Sequence, residues 1–141
     1  MSKVLNENNI FLGLDSVSKE EAITLAGRKL VENGYVKEEY IPAMLEREKV
    51  MTTYMGMGVA IPHGVNEAKK EILSSGIVIL QFPNGIDFDG EKAYLLIGIA
   101  GVGDEHLEIL SNIAISLEDI ELVDKLNKTR DKKEILEVFK K

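Results

Sequence analysis

The sequence contains no cysteine and no long hydrophobic run. The absence of cysteine excludes disulfides, thiolate metal ligands and cysteine nucleophiles. A membrane-spanning helix needs about 20 consecutive apolar residues, and no run approaches that length. The polar segment 1–9 also lacks the apolar core of a signal peptide. We therefore expect a cytoplasmic protein that does not insert into a membrane.

Basic residues are in the minority. Lysine and arginine number 17 against 24 aspartate and glutamate residues, which gives a formal net charge of −7 over 141 residues. A negative protein without a basic patch repels nucleic acid and anionic membranes. We therefore expect no nucleic-acid partner, and the charge balance favours a basic protein partner. The length is that of one domain, predicted to span residues 1–141.

Two hydrophobic periodicities predict the secondary structure. Apolar runs predict strands at residues 9–13, 59–61, 76–82 and 93–100, the first of them at a sheet edge. Helical spacing predicts helices at residues 18–33, 39–49, 66–73, 104–117, 119–128 and 131–140. Turn residues occupy positions 83–85 and 89–90, and Gly56 and Gly58 indicate a loop. This mixture predicts a single-domain α/β fold, with a mixed β-sheet flanked by helices on both faces.

Helix boundaries carry their own signals. Ser18 and Glu21 have the S-x-x-E spacing of a capping box, in which each side chain serves the other's backbone N–H. Asn33 and Gly34 are typical of a left-handed helix end. Pro42 must lie in the first turn of the second helix, because a deeper position would cost roughly 3 kcal/mol.

The most unusual stretch, residues 46–64, ends in Pro62-His63-Gly64. Pro62 has no N–H, so we expect sheet pairing to end or to reach an edge there. Pro62 also favours an extended Ile61, while Gly64 lets the chain turn and leaves space beside the imidazole. A lone histidine is more often surface decoration or a satisfied polar group. A histidine on a stiff stem with an open face, however, suits a nucleophile or a metal ligand.

The second histidine has a similar position. His106 lies in the first turn of a predicted helix with Asp104 as its N-cap, just after the strand at residues 93–100. Ligands of α/β sheets bind beyond the carboxyl ends of strands, so we expect His63 and His106 to meet there, although chance placement is an alternative. Two neutral imidazoles, a helix N-terminus and Arg47 would suit a phosphoryl group, because guanidinium matches its oxygens.

A zinc site is the competing interpretation. It would need both histidines and a carboxylate such as Asp104 or Glu105, but no H-E-x-x-H spacing supports it. A nucleotide donor is not indicated either, because the phosphate-binding G-x-x-x-x-G-K-[ST] loop is missing. Three methionines near the central stretch, Met51, Met55 and Met57, either form an apolar contact surface for partners or pack under the loop.

Taken together, these segments resemble the mannitol-class enzyme IIA components of the bacterial phosphoenolpyruvate-dependent sugar phosphotransferase system. The resemblance covers nearly the whole chain. It includes N-I-F-L-G at 9–13, K-E-E-A-I at 19–23, N-G-Y-V at 33–36, A-M-L-E-R-E-K at 43–49, V-A-I-P-H-G at 59–64, L-I-G-I-A at 96–100 and E-H-L-E-I-L at 105–110. The P-H-G segment is a weak signal alone, but its combination with the R-E-K and E-H segments is highly specific.

The resemblance implies a role for each site residue. His63 would accept a phosphoryl group from the phosphohistidine of the carrier protein HPr. It would then pass the group to a cysteine of enzyme IIB, which phosphorylates the sugar during transport by the membrane component IIC. Arg47 would belong to the active site, His106 would support the phosphorylated histidine, and no cofactor is implied. Met57 and Val65 depart from the family pattern, in which glutamate and threonine occur.

Other functions remain possible within this fold. A fructose-class or nitrogen-regulatory IIA protein would keep His63, and a regulatory module would hold phosphate without transferring it. The segments at 43–49 and 52–56 favour the mannitol class, and an intact set of His63, Arg47 and His106 argues against an inactive module. A metallohydrolase is the most distant alternative.

Overall fold

A mixed β-sheet forms the centre of the protein, as the sequence predicts. The computed structural model describes residues 6–50, 52–64, 70–102, 111–113, 115 and 117–139. Within these residues, the elements in chain order are β1 (Ile10–Phe11), α1 (Lys19–Glu32), α2 (Tyr40–Val50), β2 (Tyr54–Gly56), β3 (Val59–Ala60), β4 (Gly76–Phe88), β5 (Glu91–Ala100), α3 (Ile120–Lys128) and α4 (Lys132–Phe139).

The strands lie in the order β1-β4-β5-β3-β2. The central pair, β4 and β5, is antiparallel, and its register places Leu80 opposite Leu96. β1 is parallel to β4 at one edge, β3 is parallel to β5, and β2 is antiparallel to β3 at the other edge. Because β3 and β5 are parallel neighbours, their carboxyl ends reach the same rim of the sheet.

Helices cover both faces of this sheet, as predicted. Alternate residues of each strand point to opposite faces, so Val78 and Leu80 join the core beneath α1 and α2, whereas Ile77 and Ile79 join the core beneath α3 and α4. The contact with α1 is close at Gly98, where an added Cβ would lie 3.2 Å from the Ala26 Cβ. Burial on both sides explains why the central strands are almost continuously apolar.

The helix boundary signals are confirmed. The Ser18 Oγ accepts the Glu21 N–H at 3.1 Å. The Glu21 carboxylate reaches back to the Ser18 hydroxyl at 3.0 Å, rather than to its N–H. Gly34, just past the end of α1, has a φ of 81°. α2 begins at Tyr40, which places Pro42 in its first turn.

Two expectations about the strands are wrong. Residues 83–85 do not form a turn, because β4 continues through them and places residues 82–85 opposite Tyr94 alone. The loop expected at Gly56 and Gly58 is wrong at Gly56, which ends β2 and pairs with Val59 of β3 in a hairpin, but Gly58 does lie in the connecting turn. Met57 and Gly58 both have positive φ values, 54° and 81°, as the central residues of a tight hairpin turn require. A methionine in that conformation is uncommon, so local propensity did not indicate a two-residue turn here.

The helix predicted at 66–73 does not extend as far as expected. Residues 65–69 lie outside the described part of the chain, and Ile72 forms an antiparallel bridge with Val36. Of the helix predicted at 104–117, residues 111–113 are helical, and Ile113 and Leu117 are buried. The proposed N-cap of that helix, Asp104, lies outside the described residues.

The C-terminal helices match their predictions to within one residue. α3 follows Asp119, whose carboxylate accepts the N–H groups of Glu121 and Leu122. Its end is held by Gln81, buried in β4, which donates to the Leu126 and Thr129 carbonyls at 3.0 and 2.7 Å. Among the helices in the described part of the chain, none is long and apolar enough to cross a membrane.

We expect Gly76→Ala to destabilise the protein. An added Cβ would overlap Cγ of the Tyr35 ring, which is buried and whose hydroxyl accepts a hydrogen bond from Asn9 at 2.8 Å. Overpacking of this kind costs about 1–3 kcal/mol, which urea unfolding would measure. Introducing the same change in a Tyr35→Leu background should cost less, because the ring is gone. Equal costs in both backgrounds would mean that the ring contact is not responsible.

Candidate functional site

His63 lies at the rim of the sheet, just beyond the carboxyl end of β3. The sequence predicted that sheet pairing would end or reach an edge at Pro62, and the structure shows that pairing with β5 does not end there. The Pro62 carbonyl accepts the Ile99 N–H at 3.0 Å, and His63 itself forms a parallel bridge with Ile99. The missing N–H of proline removes one donor from the ladder, but the carbonyl can still accept. The histidine therefore follows a short stem, Ile61 and Pro62, that remains hydrogen-bonded to β5.

A backbone hydrogen bond orients the imidazole of His63. Its Nδ1 lies 2.8 Å from the carbonyl oxygen of Ile61. A carbonyl oxygen can only accept, so Nδ1 must carry the proton in this contact. In the neutral ring, Nε2 then holds the lone pair. The side chain is half-buried, so Nε2 is the ring nitrogen that could act as a nucleophile in this arrangement.

Tyr40 braces this stem from α2. Its buried hydroxyl donates to the Ile99 carbonyl at 2.8 Å and accepts the Gly64 N–H at 2.9 Å. Burial raises the pKa of Tyr40, against the opposing effect of the Gly64 hydrogen bond, so the hydroxyl stays protonated at neutral pH. One phenol thus ties the residue after His63 to the strand beside it.

Gly64 is required for a reason other than the one inferred from the sequence. Its φ is not in the positive range, and the space beside it is filled by Tyr40 rather than left open for the imidazole. An added Cβ would lie 2.6 Å from Cε1 of the Tyr40 ring. The glycine therefore permits the close approach of α2.

Arg47 lies on the same helix as Tyr40 and is half-buried. Seven residues make almost two helical turns, so Arg47 shares the Tyr40 face of α2, about 10 Å further along the axis. That face is directed to the rim by the Tyr40 contacts. The role of Arg47 at a phosphoryl site stays a prediction.

His106, Asp104 and Glu105 lie outside the described residues. The described topology leads the chain toward the site, because β5 ends at Ala100, one residue after the bridge partner of His63. The meeting of the two histidines stays a prediction. No cluster of three or more histidine, aspartate or glutamate side chains that could hold a metal occurs in the described part of the chain. That finding does not test the zinc site considered above, because His106, Asp104 and Glu105 lie outside the described residues.

Sequence reasoning missed Tyr40 and Glu48, both buried on α2. The Glu48 carboxylate accepts hydrogen bonds from the backbone N–H and the hydroxyl of Thr53. The spacing of Tyr40 from Arg47 is a helical signal that could have placed the tyrosine on the site face. By contrast, Glu48 lies among charged neighbours in sequence, and nothing in a single sequence separates it from them.

Met55 and Met57 are exposed to 42% and 44%. The interpretation that they pack under the loop is therefore wrong for these two residues. Met51 lies outside the described residues. An exposed thioether pair on the hairpin can contact a partner and adapt to its shape.

Comparison with known proteins identifies related chains. The family model described as "Phosphoenolpyruvate-dependent sugar phosphotransferase system, EIIA 2" matches residues 3–141. The mannitol-specific phosphotransferase enzyme IIA component of Staphylococcus aureus is 46% identical over 139 residues, covering 99% of this chain and 96% of that protein. The PTS system mannitol-specific EIICBA component of Vibrio cholerae is 47% identical over 138 residues, covering 96% of this chain. This chain spans only 21% of that longer protein.

The fold is similar to that of a solved structure. The chain superposes on the structure described as a complex of enzyme IIA and phosphorylated enzyme IIB of the Escherichia coli mannitol system with a TM-score of 0.91 and 40% identity. The match covers 96% of each chain. Because the family model spans nearly every residue and the relatives align along the whole chain, the chain belongs to the EIIA 2 family of the phosphoenolpyruvate-dependent sugar phosphotransferase system.

Proposed function

We propose that this chain is a phosphocarrier for mannitol uptake. It accepts a phosphoryl group on His63 from phospho-HPr and passes it to the cysteine of enzyme IIB, which phosphorylates the sugar transported by IIC. The observation that carries the proposal is the hydrogen bond from Nδ1 to the Ile61 carbonyl, which leaves the Nε2 lone pair to attack phosphorus. Membership of the EIIA 2 family supports it.

The two transfers follow from this tautomer. In the first, the Nε2 lone pair of His63 attacks phosphorus, a new N–P bond forms, and the N–P bond of phospho-HPr breaks with its electron pair returning to the donor ring. In the second, a thiolate of enzyme IIB attacks, an S–P bond forms, and the pair of the breaking bond returns to Nε2. The proton stays on Nδ1 throughout, donated to the Ile61 carbonyl in a hydrogen bond, so His63 enters and leaves as a neutral imidazole.

Charge stabilisation and positioning must supply the catalysis, because phosphoryl transfer needs little covalent help from the protein. Arg47 is the proposed clamp, since its planar fork matches phosphoryl oxygens. His106 is proposed to support the phosphorylated ring rather than to accept the group. The half-buried position of His63 suits a group that must be received and then released.

The sugar and the partners are supported by relatives. The Staphylococcus aureus and Vibrio cholerae proteins are named as mannitol-specific, and the Escherichia coli structure pairs enzyme IIA with phosphorylated enzyme IIB. These identities of 46% and 47% favour the mannitol class over the fructose-class and nitrogen-regulatory alternatives. We propose a cytoplasmic location, because the donor and acceptor phosphoproteins act there, and a single domain spanning residues 1–141.

His63 should carry one acid-labile, alkali-stable phosphoryl group after incubation with phosphoenolpyruvate, enzyme I and HPr. Intact mass would detect the group, and a phosphorus–nitrogen NMR correlation should place it on Nε2, because Nδ1 is protonated. His63→Ala should remain unlabelled, whereas the control His106→Gln should still be labelled. Labelling of His63→Ala, or recovery of the group on His106, would refute the assignment.

Arg47→Lys should slow transfer from phospho-HPr by about tenfold or more, equivalent to about 1.4 kcal/mol in the barrier. The lysine keeps the charge but loses the two-pronged fork. Stopped-flow or quenched-flow transfer would measure the rate. Arg28→Lys is the matched control, because Arg28 pairs with Glu38 on the surface and should give the wild-type rate. Equal rates for the two variants would remove Arg47 from the site.

Tyr40→Phe should lower both stability and transfer rate. Losing the hydroxyl leaves the buried Ile99 carbonyl and the Gly64 N–H without their partner, which costs about 1–3 kcal/mol. Tyr54→Phe is a matched control, because the Tyr54 hydroxyl also joins a carbonyl, that of Lys92, to a glycine N–H, that of Gly58.

We expect both tyrosine variants to unfold at lower urea concentration, but only Tyr40→Phe to slow phosphorylation of His63. A Tyr40→Phe protein with wild-type transfer would show that the brace serves stability alone.

A further inference from the structure

Glu48 is a buried carboxylate in an unfavourable place. Only 5% of its side chain is exposed, and it lies in the last turn of α2, where the helix dipole disfavours an anion. A buried charge is tolerated only when it is paired and hydrogen-bonded. Replacement of such a group by apolar residues is often neutral for stability, so stability alone does not account for it.

The partners of Glu48 lie on two other segments. Its Oε1 accepts the Thr53 N–H at 3.0 Å and the Thr53 hydroxyl at 2.6 Å. Its Oε2 lies 3.1 Å from the same N–H and 3.2 Å from Nζ of Lys19 at the start of α1. Lys19 also pairs with Asp89, at 2.6 Å. Burial acts to lower the pKa of Lys19, but the bonds to Asp89 and Glu48 outweigh it and raise the pKa, so the ammonium stays charged.

From Thr53 the contacts continue to the proposed phosphoryl acceptor. The Thr53 carbonyl accepts the Ile61 N–H at 3.0 Å. The Ile61 carbonyl in turn accepts a hydrogen bond from Nδ1–H of His63 at 2.8 Å. Thr53 and Ile61 each use one group to receive the preceding contact and another to make the next. This series of hydrogen bonds therefore fixes positions and does not relay a proton. Glu48 fixes the position of Thr53, Thr53 fixes the position of Ile61, and the Ile61 carbonyl fixes the orientation of the imidazole.

We propose that Glu48 is a positioning residue for His63. Its carboxylate holds Thr53 so that the Ile61 carbonyl receives Nδ1–H and Nε2 is presented to phosphorus. The inference rests on the proposed function for its kinetic consequence, but the effect on the imidazole does not depend on that function. The contacts of Glu48 go to Thr53 and Lys19, so it would act on His63 through two intervening residues, Thr53 and Ile61.

Glu48→Gln tests the inference. The amide keeps one acceptor oxygen but places an NH₂ group against the Thr53 donors or the Lys19 ammonium, so the contacts to Thr53 cannot all be kept. We expect a smaller Nδ1–H population of His63, measured from the imidazole nitrogen shifts of the unphosphorylated protein by NMR. Misplacing a reacting group from a distance can cost up to 10²-fold. We therefore expect the maximal rate of transfer from phospho-HPr to fall roughly 10- to 100-fold, with an unchanged half-saturating concentration.

Asp89→Asn is the matched control. It removes the same unit of charge and the other partner of Lys19, but it has no contact with Thr53. Asp89 has a φ of 57°, which asparagine adopts readily. We expect Asp89→Asn to keep the wild-type tautomer and maximal rate. Wild-type tautomer populations and rates in both variants would overturn the inference. The same loss in both variants would also overturn it.

Two further variants keep the test decisive if Glu48→Gln fails to fold. Thr53→Val removes the hydroxyl that donates to Glu48 and should shift the tautomer and rate in the same direction, by less. Thr53→Ser restores the hydroxyl and should recover both. Unchanged tautomer and rate in Thr53→Val would reject the role of this contact chain. If wild-type His63 takes up no phosphoryl group at all, the proposed function fails, while the tautomer measurement still decides the positioning role.

Discussion

The hydrogen bond between Nδ1 of His63 and the Ile61 carbonyl is the constraint on which the site depends. It joins residues only two apart, and it requires the backbone between them to hold one conformation. Pro62 narrows the choices available to that backbone. β5 holds one side of the stem through Ile99, and Thr53 holds the other through the Ile61 N–H. A short bond within the stem is therefore kept by contacts made outside it.

Those outside contacts come largely from one helix. α2 provides the Tyr40 hydroxyl, which ties Gly64 to Ile99, and the Glu48 carboxylate, which holds Thr53. Arg47, the proposed phosphoryl clamp, lies on the same helix. Buried polar groups specify geometry strongly when all their partners are present, because an unmet partner is costly in a low dielectric. A single rigid element can thus align the acceptor ring and the cation relative to each other.

The mixed sheet provides the setting for this arrangement. Parallel pairing of β3 with β5 brings two carboxyl ends to one rim, where the backbone leaves the ladder and side chains meet solvent. The antiparallel hairpin of β2 and β3 places Met55 and Met57 on the surface of the same segment. A histidine that exchanges a phosphoryl group between two proteins needs such a setting, open at the ring and rigid beneath it.

Local chemistry made much of this fold predictable from the sequence. Capping at Ser18, the helix stop at Gly34 and the continuous apolar run of β4 depend on neighbours in the chain. The boundaries of α1, α2, α3 and α4 were therefore predicted to within about one residue. Family motifs predicted His63, Arg47 and His106 as site residues, and the position of His63 at the rim follows from the strand before it.

Long-range packing decided what the sequence left open. The β2–β3 hairpin depends on a positive φ at Met57, and the passage of β4 through Pro83 depends on pairing with β5, so local propensity misjudged both. Glu48 is not distinguished from its charged neighbours by the sequence. Tyr40 is marked only by its helical spacing from Arg47, because the partners of its hydroxyl, Gly64 and Ile99, are 24 and 59 residues away. The tautomer of His63 likewise needed the folded stem. Sequence alone predicted which residue would react, and tertiary structure decided which nitrogen it presents, because only the fold places a carbonyl against the other one.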